Sequence, residues 1–127
     1  MSTQAAVLLA LLFVGHFLGD FTPLATARMQ EAKARGRPQR LIAAHAAVHA
    51  VLTGVAVALV VGPQPSVLAL VVGVQFVTHW GLDAFRARLG IRFPALADPG
   101  ENAFWTGLGL DQLAHGLVLL AISLIAV

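Results

Sequence analysis

Four pairs of ionisable residues stand out in this sequence: His16/Asp20, His45/His49, His79/Asp83 and Asp111/His115. Each pair is spaced i,i+4, which on a helix stacks two side chains on one face, one turn apart. Imidazoles and carboxylates ligate transition metals, relay protons and act as general acids and bases. All five histidines of the chain belong to this set, and so do three of its six acidic residues.

The elements that carry these pairs are apolar. Of 127 residues, 58% are hydrophobic and only 11% are charged, and the mean hydropathy is +0.83. Soluble domains average about 25% charged residues, so this is the composition of a lipid-facing protein with room for one domain, residues 1–127. Four stretches reach the ~20 apolar residues of a spanning helix: Ala5 to Phe21, Leu41 to Val61, Val67 to Phe85 and Phe104 to Ala126. Unbroken Leu/Ala/Val runs lack the alternation of a barrel strand, so the spans read as helices. The first span also has the outline of a signal peptide, with Ala25-Thr26-Ala27 as a small-residue site. The absence of Lys and Arg before it, and its ending in His16 and Asp20, argue against cleavage. There are no cysteines, so neither a disulfide framework nor a thiolate site is available. Eight Lys/Arg against six Asp/Glu is too slight a balance to imply nucleic-acid binding.

The connections set direction. Thr22 to Arg40 carries Arg28, Lys33, Arg35, Arg37 and Arg40, and Arg86 to Ala103 carries Arg86, Arg88 and Arg92, with a turn expected at Asp98-Pro99-Gly100. The short turn from Gly62 to Ser66 has no charge. Every cation thus falls on one side, and the positive-inside rule places both long loops in the cytoplasm and both termini outside, in the inner membrane. Leu24 to Arg35 reads either as a short interfacial helix or as a solvated basic loop. Trp105 stands where an aromatic-belt residue would anchor the last span.

Alternating helix direction then sorts the pairs by depth. His16, His49, His79 and His115 form a deep layer; Asp20, His45, Asp83 and Asp111 form a shallow one, ~6 Å away at 1.5 Å per residue. The order in the last span is Asp-then-His, as an antiparallel bundle requires if like residues are to share a level. Ionisable groups at such depth face the bundle interior and carry function. Eight inward ligands suffice for a dinuclear site, or for one ion whose histidines are oriented by carboxylates behind them. Zinc suits this donor set best, with iron and manganese as alternatives and haem a weaker one. A metal-free proton pathway and purely structural packing are the competing readings. Thr53 and Gln75, a turn deeper than His49 and His79, are expected to orient the ligands or to bond each other. Gln112 is expected to reach a neighbouring helix or the substrate. Arg86 is expected to pair with Asp83, to snorkel, or to bind an anionic group.

The ordered motifs His16-Phe17-Leu18-Gly19-Asp20-Phe21, His45-x-x-x-His49, His79-x-x-x-Asp83-x-x-Arg86 and Asp111-Gln112-x-x-His115 resemble those of the bacterial membrane family known as domain of unknown function 3307. The resemblance covers nearly the whole chain. It implies a small helical membrane protein with these polar positions and no established reaction. Where similar proteins tend to carry Leu-Gln after Asp-Phe, this chain reads Thr22-Pro23-Leu24-Ala25; Arg86 stands where a lysine is common.

The functional expectation is a metal-dependent membrane hydrolase acting on an amphiphilic, lipid-like substrate. Asp20, Asp83 and Asp111 are the candidates for proton transfer, and Arg86 and Gln112 for substrate binding. A metal or proton transporter or sensor, or a structural subunit of a membrane complex, is the alternative. Four short helices also leave surface for lipid or for a homodimer.

Overall fold

The computed structural model describes residues 1–127 and is helical throughout, without strands. Four helices are long and apolar enough to cross a membrane: α1 (Thr3–Phe21), α3 (Gln39–Val60), α4 (Pro65–Arg92) and α5 (Asn102–Ile125). A fifth, α2 (Ala27–Arg35), is short, and a 3-10 turn at Pro94–Leu96 precedes α5. The expected spans match these helices at their starts to within a turn. The exception is the far end of α4, which runs to Arg92 rather than Phe85.

Local chemistry sets the boundaries. The Ser2 side chain accepts from the Ala5 amide at the start of α1, and the Thr26 side chain accepts from that of Met29 at the start of α2. Gly36 ends α2 at φ 66°, a conformation favouring glycine, with its amide bonded to the last carbonyls of the helix. Pro65 opens α4, where its missing N–H costs nothing. The turn expected at Asp98 forms, with its carboxylate accepting from the Gly100 amide at 2.9 Å. Trp105 lies exposed beside it and donates to the Pro99 carbonyl.

The long helices form a square in which α1 and α4 both adjoin α3 and α5. Neighbours are antiparallel. Gln4 near the start of α1 donates to the Val60 carbonyl at the end of α3, while Asp20 at the end of α1 meets His45 near the start of α3. Phe13 lies beside Gly116 and His16 beside Gln112, which sets α1 against α5 in the same sense. One half of the interior is dry: Leu8, Leu12, Val57, Val71, Leu119 and Ile122 are at most 2% exposed. The other half holds the histidines and aspartates. Outward side chains such as Val51, Leu59, Val77 and Leu117 are more than half exposed, as lipid-facing residues are.

The stretch after α1 is the main surprise of the fold. It is neither a solvated loop nor only an interfacial helix: α2 packs on α3 and α4 across the bundle end and buries Ala32.

Without a hydrophobic force between helices in lipid, close approach by small residues holds such a bundle. A Cβ at Gly54 would sit 3.0 Å from Val72 Cγ2. Gly54→Leu is therefore expected to wedge α3 from α4 at a cost of about 1–3 kcal/mol. The check is a lowered unfolding midpoint in detergent, with Gly54→Ala falling between it and the parent.

Candidate functional site

The polar half of the bundle is organised around two carboxylates on diagonal helices. Asp20 of α1 places Oδ1 3.0 Å from His45 Nε2 and 3.4 Å from His49 Nε2, and Oδ2 3.3 Å from His16 Nε2. Asp83 of α4 places Oδ2 3.4 Å from His79 Nε2 and 3.7 Å from His45 Nε2, and Oδ1 3.8 Å from His115 Nε2. The imidazole stack is tight, with ring centroids 3.7 Å apart for His49 and His79 and 4.5 Å for His79 and His115. His16 is farther out, 5.2 to 5.8 Å from the rings of His49, His79 and His115.

One residue of this centre escapes a reading of the sequence. Lys33, on the inner face of α2, sets its ammonium 3.3 Å from Asp20 Oδ1, 3.3 Å from Asp83 Oδ2 and 3.1 Å from His45 Nε2. An ammonium has three N–H donors; here it hydrogen-bonds Asp20 Oδ1 and lies beside His45 Nε2, with Asp83 Oδ2 at ion-pair distance. Burial disfavours the charged form, but the carboxylates of Asp83 and Asp20 outweigh it and raise the Lys33 pKa. Its stabilising contribution is thus fully present at neutral pH and up to the ordinary value of 10.5, and is lost only as pH rises through the higher folded value. The thermodynamic sign is clear: the ammonium neutralises carboxylates that would otherwise be bare inside the bundle.

Even so, the centre is under-bonded. His49 Nε2, His79 Nε2, His115 Nε2 and both a second nitrogen of His79 and the Nδ1 atoms of His16 and His45 are buried without a hydrogen-bond partner. The nearby carboxylate oxygens lie within ion-pair distance but out of alignment. His45 is better served on one side only: a proton on Nε2 is accepted by Asp20 Oδ1 at 3.0 Å, beside the Lys33 ammonium at 3.1 Å, while Nδ1 has no partner. Each unsatisfied buried group costs about 1–3 kcal/mol.

The donor atoms fall into two groups. Asp20, His45, His49 and His79 each offer an atom, all within 4.8 Å of one another; His79, Asp83 and His115 do the same. The orphaned imidazole nitrogens, with the carboxylates beside them, could thus hold a metal ion.

The remaining sequence candidates distribute differently. Asp111 does not join either group. Its carboxylate is 3.8 Å from His115 Nδ1, but that nitrogen is within hydrogen-bond distance, 2.9 Å, of the Asp111 backbone carbonyl instead. His16 also stays outside both groups, with Nε2 3.1 Å from Gln112 Oε1, so Gln112 reaches a neighbouring helix. Arg86 forms no ion pair with Asp83; its Nη2 donates to the Leu96 carbonyl at 2.8 Å. Thr53 and Gln75 are buried, yet neither hydrogen-bonds an imidazole or the other.

Room at the site is as particular as its charge. A Cβ at Gly19 would collide with the His49 imidazole, so only glycine lets that ring lie against α1. A cavity of about 470 Å³ reaches the centre from the bundle end, lined by Asp20, Lys33, Asp83, Arg86, Asp111 and Gln112 among others.

Comparison with known proteins gives a family and stops short of a reaction. The family described as protein of unknown function DUF3307 matches residues 8–127, and the chain belongs to it. No curated protein and no solved structure matches.

Two substitutions probe the geometry. Lys33→Met strands two buried carboxylates and is expected to cost about 3–5 kcal/mol, read as a lower unfolding midpoint at neutral pH, with part recovered in Lys33→Met, Asp83→Asn. Gly19→Ala is expected to displace His49, seen as a changed His49 ring resonance with little change in helix content.

Proposed function

For this member of a family without an established reaction, we propose a metal-binding integral membrane protein that hydrolyses an amphiphilic substrate at one end of the bundle. The observation that carries the reading is the set of buried, partnerless Nε2 atoms on His49, His79 and His115, gathered beside Asp20 and Asp83. Imidazole nitrogen mixed with carboxylate oxygen suits zinc, with iron and manganese also within its range. His45, His49, His79 and His115 would be ligands, with Asp20 and Asp83 completing or bridging the set. When bound, such an ion supplies Lewis acidity towards water and the substrate's oxygen.

The chain's own groups complete the chemistry. Asp111 is free of the ligand groups and lines the cavity, where it can take a proton from the attacking water. The water oxygen joins the electrophilic centre, the bond to the leaving alcohol breaks, and that alcohol departs with a proton. Arg86 and Gln112, on the same cavity wall, face the substrate. All eight Lys and Arg lie in α2, its flanks, and the stretch from Arg86 to Arg92, at the end where the cavity opens. That supports a cytoplasmic opening in the inner membrane, with both termini on the far side.

A second reading rests on Lys33. Its ammonium already occupies the place between Asp20 and Asp83, which favours a metal-free centre that handles protons or simply holds the bundle together.

Metal content by mass spectrometry of detergent-purified protein separates the two. The expected result is stoichiometric metal in the parent and almost none in His49→Ala, His115→Ala at unchanged helix content. One ion per chain would select a single centre with supporting carboxylates, and two a dinuclear one. No metal after reconstitution with zinc, iron and manganese would transfer the assignment to the Lys33-based reading. Asp111→Asn should retain metal while hydrolysis falls by about 10²–10⁴-fold, the usual worth of a general base.

A further inference from the structure

Beside the polar cavity lies a second one that the centre does not use. It measures about 280 Å³ and runs between α4 and α5, walled by Leu82, Phe85, Leu89, Leu110 and Ala114. Arg86, Leu96 and Asp111 line both cavities and so form the partition between them. Phe85 and Leu110 are 59% and 62% exposed on helices long and apolar enough to span a bilayer, so the apolar cavity adjoins lipid.

Beside the Asp111 carboxylate, the partition carries a cation that has no ion-pair partner. No carboxylate lies within ion-pair distance of Arg86, in contrast to Lys33 with two and Arg35 with Glu31. The Arg86 guanidinium gives one N–H to the Leu96 carbonyl and sits 6.0 Å from the Phe104 ring centroid. A guanidinium has five N–H donors in a planar fork, matched to phosphate or carboxylate, so several remain to offer. Space for it is created by Gly107: a Cβ there would sit 3.3 Å from both Arg86 Nη2 and Leu96 Cδ2.

The geometry points to a lipid subsite: a membrane amphiphile with an anionic headgroup lies with its hydrocarbon tail in the α4–α5 groove and its headgroup on Arg86, facing the chamber that holds Asp111. The inference rests on the hydrolase reading for what happens next, but binding is independent of it. An amphiphile needs an apolar slot and a polar chamber sharing one wall, with a cation at the junction. These two cavities supply that arrangement. Access from the bilayer between α4 and α5 also removes any need for the tail to pass through water.

The test is binding of two probes, dodecyl phosphate and inorganic phosphate, to the full chain in nanodiscs, with empty nanodiscs subtracted. Metal content is measured on the same samples. In the parent, dodecyl phosphate should bind at least tenfold more tightly than inorganic phosphate. Leu110→Trp, which fills the groove from its lipid side, should reduce that ratio towards one. Ala114→Leu fills the same groove and serves if Leu110→Trp does not fold. Arg86→Gln should weaken both probes by about 10-fold or more, the loss of a charge-assisted contact, while the ratio persists. Equal binding of the two probes by the parent, or an undiminished ratio in a folded groove-filled variant, would overturn the subsite. A parent without metal that still shows the ratio would retain the subsite and reject the metal-dependent reaction alone.

Discussion

The whole molecule depends on keeping two carboxylates, Asp20 and Asp83, inside a helical bundle in lipid. A bare carboxylate at such a position costs several kcal/mol even after relaxation. The chain answers with a half-buried ammonium at the mouth of the centre. Lys33 reaches both carboxylates across the diagonal of the square, so α1 and α4, which do not adjoin, are joined through α2. That requirement explains why a nine-residue helix closes the bundle end and why it is capped firmly by Thr26 and Gly36. It also makes the centre a place where cations compete. A metal held by the same oxygens would draw on the lone pairs that Lys33 uses, so the two would compete.

Much of this was legible in the sequence, because a membrane leaves the chain few choices. Long apolar runs must be helices, consecutive spans must alternate in direction, and an i,i+4 pair on each must then share a face. The convergence of His49, His79, Asp20 and Asp83 follows from those rules alone. What escaped is what the rules do not govern. Lys33 is one of five cations between Asp20 and Leu41, and its periodicity differs in nothing from that of Arg28 or Arg35. Only the bounds of α2, set by Thr26 and Gly36, fix which cation turns inward, and those cap signals were the clue available. Asp111 fails in the opposite way. Its i,i+4 spacing to His115 is right, but the ring is held by a main-chain carbonyl, which leaves the carboxylate facing the cavity. Arg86 differs for a similar reason: the chain folds back through Pro94–Leu96 and offers a carbonyl nearer than Asp83.

The site also shows how a small bundle reconciles packing with chemistry. Gly19 gives up a side chain so that an imidazole can lie against α1, and Gly107 does the same for a guanidinium against α5. At Gly19 the imidazole takes the place of the missing Cβ, and at Gly107 the guanidinium packs 3.3 Å from it. These two glycines are the counterpart, inside the membrane, of the close helix contacts that hold the dry half together.

That dry half has an electrical consequence. Side chains from Leu8 to Ile122 fill it, and the one hydroxyl beside them, that of Ser123, is bonded to the Leu120 carbonyl of its own helix, so in a bilayer it would act as the insulating layer of a capacitor. A membrane potential drops where the dielectric constant is low, and most of it must fall across this layer rather than across the wet cavity. His16 lies only five residues from the end of α1, ~7–8 Å by helix rise, so the centre sits near the potential of the compartment it opens to. Charge moving between that compartment and the centre crosses little of the field. Binding of an ion there would then follow its concentration on that side, almost independently of the voltage across the membrane.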